Sequence, residues 1–204
     1  YRDISRNSKF MSGKLLDFGC GSKPYKALFN VEEYVGLDMD VGDAHKHVDE
    51  EIDVFYDGKT IPVESNYFDS ILSSEVFEHV FELEDTIKEL YRVCKAGGYM
   101  LVTVPFIWDE HEVPYDFGSY TSFGIKYLLN KHGFEIVKSS KTTNYIETLF
   151  QMWNAYVWQH ILKYRFLQLI LTPLLIAPIT VLGIFLSKIF PQNYNFFHNN
   201  VLVV

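Results

Sequence analysis

The sequence predicts a doubly wound α/β domain, a mostly parallel sheet covered by helices on both faces. Three observations carry that expectation. Short apolar runs of strand length alternate with segments whose apolar residues recur at helical spacing, the arrangement that makes parallel strands with crossover helices. The first of these runs ends in Gly19-Cys20-Gly21, a tight turn at the edge where such folds bind ligands. The chain also closes on Val201-Leu202-Val203-Val204, a β-branched apolar run that reads as one more strand.

Taken in order, the first dozen residues are polar and read as loosely held. Lys14 to Phe18 is the first strand, and Pro24 suits the first turn of a helix reaching about Phe29. Tyr34 to Leu37, Ile52 to Tyr56 and Phe68 to Ser73 are the next three strands, the first two separated by a short acidic stretch, Val41 to Glu51. Glu82 to Lys95 carries Leu83, Ile87, Leu90, Tyr91 and Cys94 at helical spacing and stops at Gly97-Gly98. Tyr99 to Val104 is the fifth strand. Thr121 caps a helix bearing Ile125, Leu128 and Leu129, which ends at Gly133 before a sixth strand starting with Phe134 to Val137. The domain division is a core over 1–146, an aromatic and hydrophobic helical insertion over 147–192, and a return to the sheet over 193–204.

With 204 residues, 48% of them apolar and 22% charged, the chain has the makings of a real core. A net charge of -8 and the lack of a long basic run speak against a nucleic-acid partner. Cys20 and Cys94 do not form a disulfide framework, which fits a reducing cytoplasm.

The sharpest functional signal is Leu15 to Gly21. Asp17 lies at the end of the first strand, Asp38 at the end of the second and Asp57 at the end of the third. An acidic side chain after the second strand suits ribose hydroxyls. A dinucleotide fingerprint wants a third glycine where Pro24 stands, and an acidic rim is a poor match for pyrophosphate. S-adenosylmethionine has no phosphate and carries a sulfonium and an ammonium, so it fits better.

In these motifs the sequence resembles the class I methyltransferases, specifically the broad type 11 group. The resemblance rests on Leu16 to Gly21, Gly36-Leu37-Asp38, Asp57-Gly58 before Ile61-Pro62, Phe68 to Ile71, Glu75 to Val80, and Leu90 to Gly98, spanning roughly residues 13 to 137. It implies a Rossmann-like sheet of order 3-2-1-4-5-7-6 with an antiparallel last strand. It also implies a cofactor set of Asp17, Gly19, Cys20, Gly21, Asp38, Met39, Asp57, Gly58, Ser74 and Glu75. In that set Asp17, Gly19 and Gly21 line the methionine moiety, Asp38 binds ribose, Asp57 with Gly58 meets adenine, and Ser74 and Glu75 lie beneath the cofactor. The stretch Pro114 to Thr121 is similar to a subgroup seen with surface-polysaccharide and lipid-linked sugar pathways, which implies a small-molecule, sugar or lipid-linked acceptor.

Methyl transfer to oxygen or nitrogen needs an acceptor held in line and a proton removed. The loop Pro105 to Phe117 brings aromatics, carboxylates and His111 opposite the cofactor. His111 is the first candidate base, with Asp116 its alternative or orienting partner, against the plain reading of a turn cap and a solvated imidazole. His79 is a further candidate, or a capping residue. His45 and His47 beside Asp43 and Asp49 read as surface rather than as ligands, and no metal is expected. A catalytically idle cofactor-binding or partner-binding scaffold is the competing function, and a nicotinamide oxidoreductase ranks third.

Phe166 to Ser187 carries no charge and is broken by Pro173 and Pro178. At about 1.5 Å per residue it could reach about 33 Å, a bilayer's depth. A last strand that returns to the sheet instead favours helices lying on one side of a membrane, or a homodimer contact, through residues 166–190, against the plain reading of an internal helical subdomain. A cytoplasmic, membrane-associated enzyme is the resulting expectation.

Overall fold

The computed structural model describes residues 1–39, 52–161, 164, 168 and 171–204. The acidic stretch with His45 and His47 lies outside the described residues, as does part of the charge-free run.

Seven strands form one sheet: β1 (Lys14–Phe18), β2 (Glu33–Met39), β3 (Val54–Tyr56), β4 (Phe68–Ser74), β5 (Cys94–Pro105), β6 (Lys138–Lys141) and β7 (Asn199–Val203). Their order is β3-β2-β1-β4-β5-β7-β6, as the resemblance implied. The pairs β1–β2, β1–β4, β2–β3 and β4–β5 are parallel. Met100 and Val204 exchange both backbone hydrogen bonds, 2.8 and 2.9 Å, the reciprocal pairing of antiparallel strands. The last strand therefore runs against the others.

Strand alternation sorts the core. Leu16, Ile71, Val102 and Leu202 point to one face, where α2 (Leu83–Val93) and α3 (Ser122–Lys131) bring Ile87, Leu90, Ile125 and Leu129. Their neighbours Leu15, Leu72, Leu101, Val201 and Val203 point to the other, against Ile4 and Met11. The first dozen residues are thus not loosely held: α1 (Arg2–Asn7) and a 3-10 turn at Ser8–Phe10 cover that second face. Their polar composition hid two apolar anchors.

Four more boundaries differ from the sequence reading. After Pro24 there is only a 3-10 turn, Lys26–Leu28, because Phe29 is already extended. Helix α2 stops at Val93, Tyr91 faces solvent, and Cys94 opens β5. Gly97 and Gly98 do not end the helix. They lie within β5, whose register with β4 shifts between Phe68 and Ser70, and a Cβ on Gly98 would stand 2.7 Å from the Asp69 carbonyl. Finally, β6 begins at Lys138, while Phe134 is buried against Tyr91 at 5.3 Å.

The chain divides into two compact units, residues 1–140 with 200–204, and residues 141–199. Within the second, α4 (Tyr145–Tyr156) starts from a capping box of Asn144 and Glu147, and a π-helical turn at Thr172–Ile176 leads into α5 (Ala177–Ile189). Ser187 donates to Glu147 at 3.2 Å, Asn154 to Thr180 at 2.8 Å, and a Cβ on Gly183 would touch Phe150. As one helix ascends the other descends, so α4 and α5 form an antiparallel hairpin whose two open ends lie together. Thr172–Ile189 is long and apolar enough to cross a membrane, yet only 11% of it is buried.

Candidate active site

Between β1 and β4 the strand order reverses, and loops leaving the carboxyl ends there open a crevice. The turn after β1 is tied to the end of β2. Gly19 and Cys20 donate to the Leu37 carbonyl at 2.8 and 3.1 Å, and the Gly21 N–H donates to Asp38 Oδ2 at 2.8 Å. The Met39 N–H donates to Asp38 Oδ1 at 2.8 Å, so each carboxylate oxygen keeps a lone pair for a further donor such as a ribose hydroxyl. Gly19, at φ +72°, is required by packing as well as conformation: a Cβ there would lie 2.4 Å from Val76 Cγ2 in the loop after β4. Gly21, at φ +46°, has nothing within 4 Å on the side a side chain would take. Bare backbone facing open space beside acidic groups fits S-adenosylmethionine.

Asp17 is buried below this turn, with the Tyr34 hydroxyl donating to Oδ2 at 2.5 Å. Burial pushes its carboxyl up to about 6, against the pull of the Tyr34 hydrogen bond. Burial likewise pushes the Cys20 thiol up to about 12, which keeps it neutral and unreactive. Lys23, at φ +50°, has its ammonium 2.6 Å from Asp53 Oδ2, which also accepts the Gly36 N–H at 2.7 Å. A Cβ on Gly36 would meet the Lys23 stem at 2.2 Å, so that glycine makes room for the lysine. Lys23, Tyr34 and Asp53 were not among the site residues expected from the sequence, because each acts through a partner distant along the chain.

At the end of β3, Asp57 Oδ1 accepts the N–H groups of Lys59 and Thr60 at 2.9 and 3.0 Å, which hold its carboxyl below the ordinary range. Its side chain serves its own turn. Met39 and Gly58, both in the expected cofactor set, are brought together: a Cβ on Gly58 would be 3.1 Å from Met39 Cε.

Ser74 and Glu75 follow β4 and join Thr103 on β5, which is opposite Ser74 in register. The Thr103 hydroxyl donates to Glu75 Oε1, so in the 2.9 Å contact between the hydroxyls Ser74 is the donor. Glu75 takes a left-handed backbone at φ +56°, uncommon for a non-glycine residue and typical of functional sites.

Beyond it lies a polar cluster. The loop after β5 is closed at its base by Tyr120 N–H on the Pro105 carbonyl, and pinned to the 3-10 turn Phe77–His79 by Phe117 N–H on the Glu78 carbonyl at 2.7 Å. His79 Nδ1 lies 2.9 Å from the Tyr115 carbonyl. His111 Nδ1 lies 3.1 Å from Asp116 Oδ2 and 3.2 Å from the Asp109 carbonyl. Those partners only accept, so Nδ1 carries the proton on both rings and each neutral ring presents a bare Nε2. The two rings stack edge to face, 4.8 Å between centroids. All three expected catalytic residues, His79, His111 and Asp116, are thus brought into one place. The sequence reading missed Glu78, which is fully buried among them. Among the described residues neither of its carboxylate oxygens has a hydrogen-bond partner, and burial pushes it up to about 8, with Glu75 adding to the effect.

Residues 16–102 match the family model described as a methyltransferase domain. Over these residues the chain is similar to the type 11 group of class I methyltransferases, in agreement with the motifs at its strand ends. The chain is 33% identical over 111 residues to the mitochondrial ubiquinone biosynthesis O-methyltransferase of Mus musculus, a match covering 47% of this chain and 30% of that protein. The chain therefore spans less than a third of that relative's length. Among solved structures, the domain fold is similar to a SAM-dependent methyltransferase of Archaeoglobus fulgidus, at TM-score 0.62 and 15% identity, covering 99% of this chain and 90% of that one. It is also similar to phosphoethanolamine N-methyltransferase 2 of Haemonchus contortus with bound S-adenosyl-L-methionine, at TM-score 0.56 and 16% identity, covering 99% of this chain and 51% of that one.

Proposed function

We propose that this chain transfers the methyl group of S-adenosylmethionine to an oxygen or nitrogen of a small, sugar or lipid-linked acceptor at a cytoplasmic membrane surface. The carrying observation is the crevice at the strand-order reversal, with the glycine turn and Asp38 on one side and the bare Nε2 atoms of His79 and His111 on the other. When bound, the cofactor supplies a sulfonium methyl whose carbon–sulfur electron pair stays with sulfur as the methyl leaves. Asp38 holds the ribose hydroxyls and Asp17 faces the methionine ammonium. Glu75, fixed by Thr103, shapes the floor of the crevice. His111 Nε2 takes the acceptor's proton as the new bond forms, and Asp116 steadies the resulting imidazolium through Nδ1.

The exposed apolar side of α5 supports the membrane part of this reading. Val181, Phe185 and Ile189, spaced four apart, lie on one stripe and are each more than half exposed. Trp153 and Tyr156 on α4 are of the kind that settles at a lipid interface.

Calorimetry with S-adenosylhomocysteine tests the cofactor assignment. Asp38→Ala should weaken binding at least about tenfold, or about 1.4 kcal/mol. Unchanged affinity removes Asp38 from the site.

A further inference from the structure

We propose that Glu78, His79 and His111 bind one divalent transition-metal ion, placed to hold and acidify a hydroxyl of the methyl acceptor. One ligand atom from each of the three residues lies within 4.8 Å of the others. Ligands about 2.0–2.2 Å from a shared ion stand somewhat closer together than that, so small side-chain rotations complete the set.

Three further observations point to an ion rather than to a chance cluster. Glu78 is fully buried with both carboxylate oxygens unpartnered among the described residues, a costly arrangement that a cation at this position relieves. Both histidines have Nδ1–H engaged by a fixed backbone carbonyl, that of Tyr115 for His79 and that of Asp109 for His111, with Asp116 Oδ2 also 3.1 Å from His111 Nδ1, which leaves Nε2 as a lone-pair donor. An outer acceptor on the second ring nitrogen is how proteins orient metal-bound imidazoles. The loop that supplies His111 is itself anchored on Glu78 through the Phe117 N–H, so the ligands are held by one another's backbone.

Two imidazoles and one carboxylate with open positions suit manganese, iron, cobalt or zinc better than calcium or magnesium, which prefer all-oxygen sets. The role given to the ion rests on the methyl-transfer reading, whereas its binding does not. With the ion bound, both Nε2 atoms are committed to it, so the ion takes over from His111 the task of activating the acceptor. The acceptor hydroxyl then gives its proton to solvent water because coordination lowers its pKa, and its oxygen lone pair forms the bond to the methyl carbon as the carbon–sulfur bond breaks and its electron pair stays with sulfur.

The test uses the full chain, free of any affinity tag and stripped by a chelator. Cobalt(II) chloride is titrated by visible absorption and zinc chloride by calorimetry, and S-adenosylhomocysteine affinity is measured on the same samples. The expected result is one ion per chain with cobalt d–d bands. His79→Ala and His111→Ala should each weaken binding at least about tenfold, as should the near-isosteric Glu78→Gln. Asp116→Ala should weaken it by about 10–100-fold. Cofactor affinity should hold in all four, showing that they fold. Wild-type protein that binds S-adenosylhomocysteine but no stoichiometric metal overturns the proposal, and so does unchanged metal affinity in the two histidine variants. Metal binding without any cofactor binding upholds the metal site and defeats the methyl-transfer reading.

Discussion

At the scale of single residues, Asp17 meets two opposed demands. Its carboxyl titrates near 6 in the folded chain against 3.8 unfolded, so between those values the folded state binds the extra proton. Stability of the free chain therefore falls as pH rises from about 4 to 6, by up to about 3 kcal/mol. Asp17→Asn should melt higher than wild type at pH 7, match it near pH 4, and lose this slope. It should also bind S-adenosylhomocysteine at least about tenfold more weakly, because the ligand's ammonium loses its counter-charge. Thermal melts across pH together with calorimetry check both halves, and an unchanged slope refutes the burial argument. The two glycines of the turn should separate in the same way. Gly19→Ala combines a left-handed backbone with a clash against Val76 and should cost about 2–4 kcal/mol in denaturant melts. Gly21→Ala meets no neighbour, so it should cost about 1 kcal/mol while its methyl enters the ligand's space and weakens cofactor binding about tenfold or more. Equal stability losses in the two variants contradict this account. The placement of Asp17, Gly19, Gly21 and Asp38 at strand ends was legible in the sequence, because it follows from the local pattern of apolar runs and glycines. Lys23, Tyr34, Thr103 and Glu78 were not, since the groups around them are brought together from segments distant along the chain.

Among elements, α5 raises the sharpest question. An apolar stripe exposed along a helix that is barely buried needs a cover, and each large apolar side chain moved out of water contributes about 1.5–3 kcal/mol. The double variant Val181→Glu with Phe185→Glu removes two such side chains from one face. Flotation with vesicles containing anionic phospholipid should show wild-type protein bound and the variant reduced at least about a hundredfold. The melting temperature should stay within about a degree or two, because both positions are exposed. Failure of wild type to float, or undiminished flotation of the variant, argues against lipid. The elements also show where sequence period misleads. The glycine pair at 97–98 has the look of a helix stop, yet the helix had ended at Val93 and the pair serves the bulged edge between β4 and β5.

For the whole molecule, the last five residues decide whether the sheet closes. Val201, Leu202, Val203 and Val204 are all buried, and Val204 pairs with Met100 in both directions. Their burial is worth about 6–12 kcal/mol, comparable to the total stability of an ordinary domain at about 5–15 kcal/mol. A chain ending at Asn199 should therefore be insoluble or lack a cooperative melt, and restoring the five residues should rescue it. A folded truncation with intact S-adenosylhomocysteine affinity contradicts the arrangement. Saturating cofactor should conversely raise the melt of the intact chain, by about 2.7 kcal/mol at a hundred times its dissociation constant.

What the sequence determined by itself is the alternation of strands and helices, the acidic residues and glycines at strand ends, and the long uncharged run. These are local facts of spacing and composition, set by the periods of the backbone and the conformational freedom of glycine. Tertiary structure alone decided that the polar first dozen residues cover a sheet face, since two apolar anchors suffice once the sheet supplies their cavity. It alone placed Glu78, whose carboxylate has no hydrogen-bond partner among the described residues, against two imidazole rings, because burial and proximity arise only when the loop after β5 folds back onto the turn after β4.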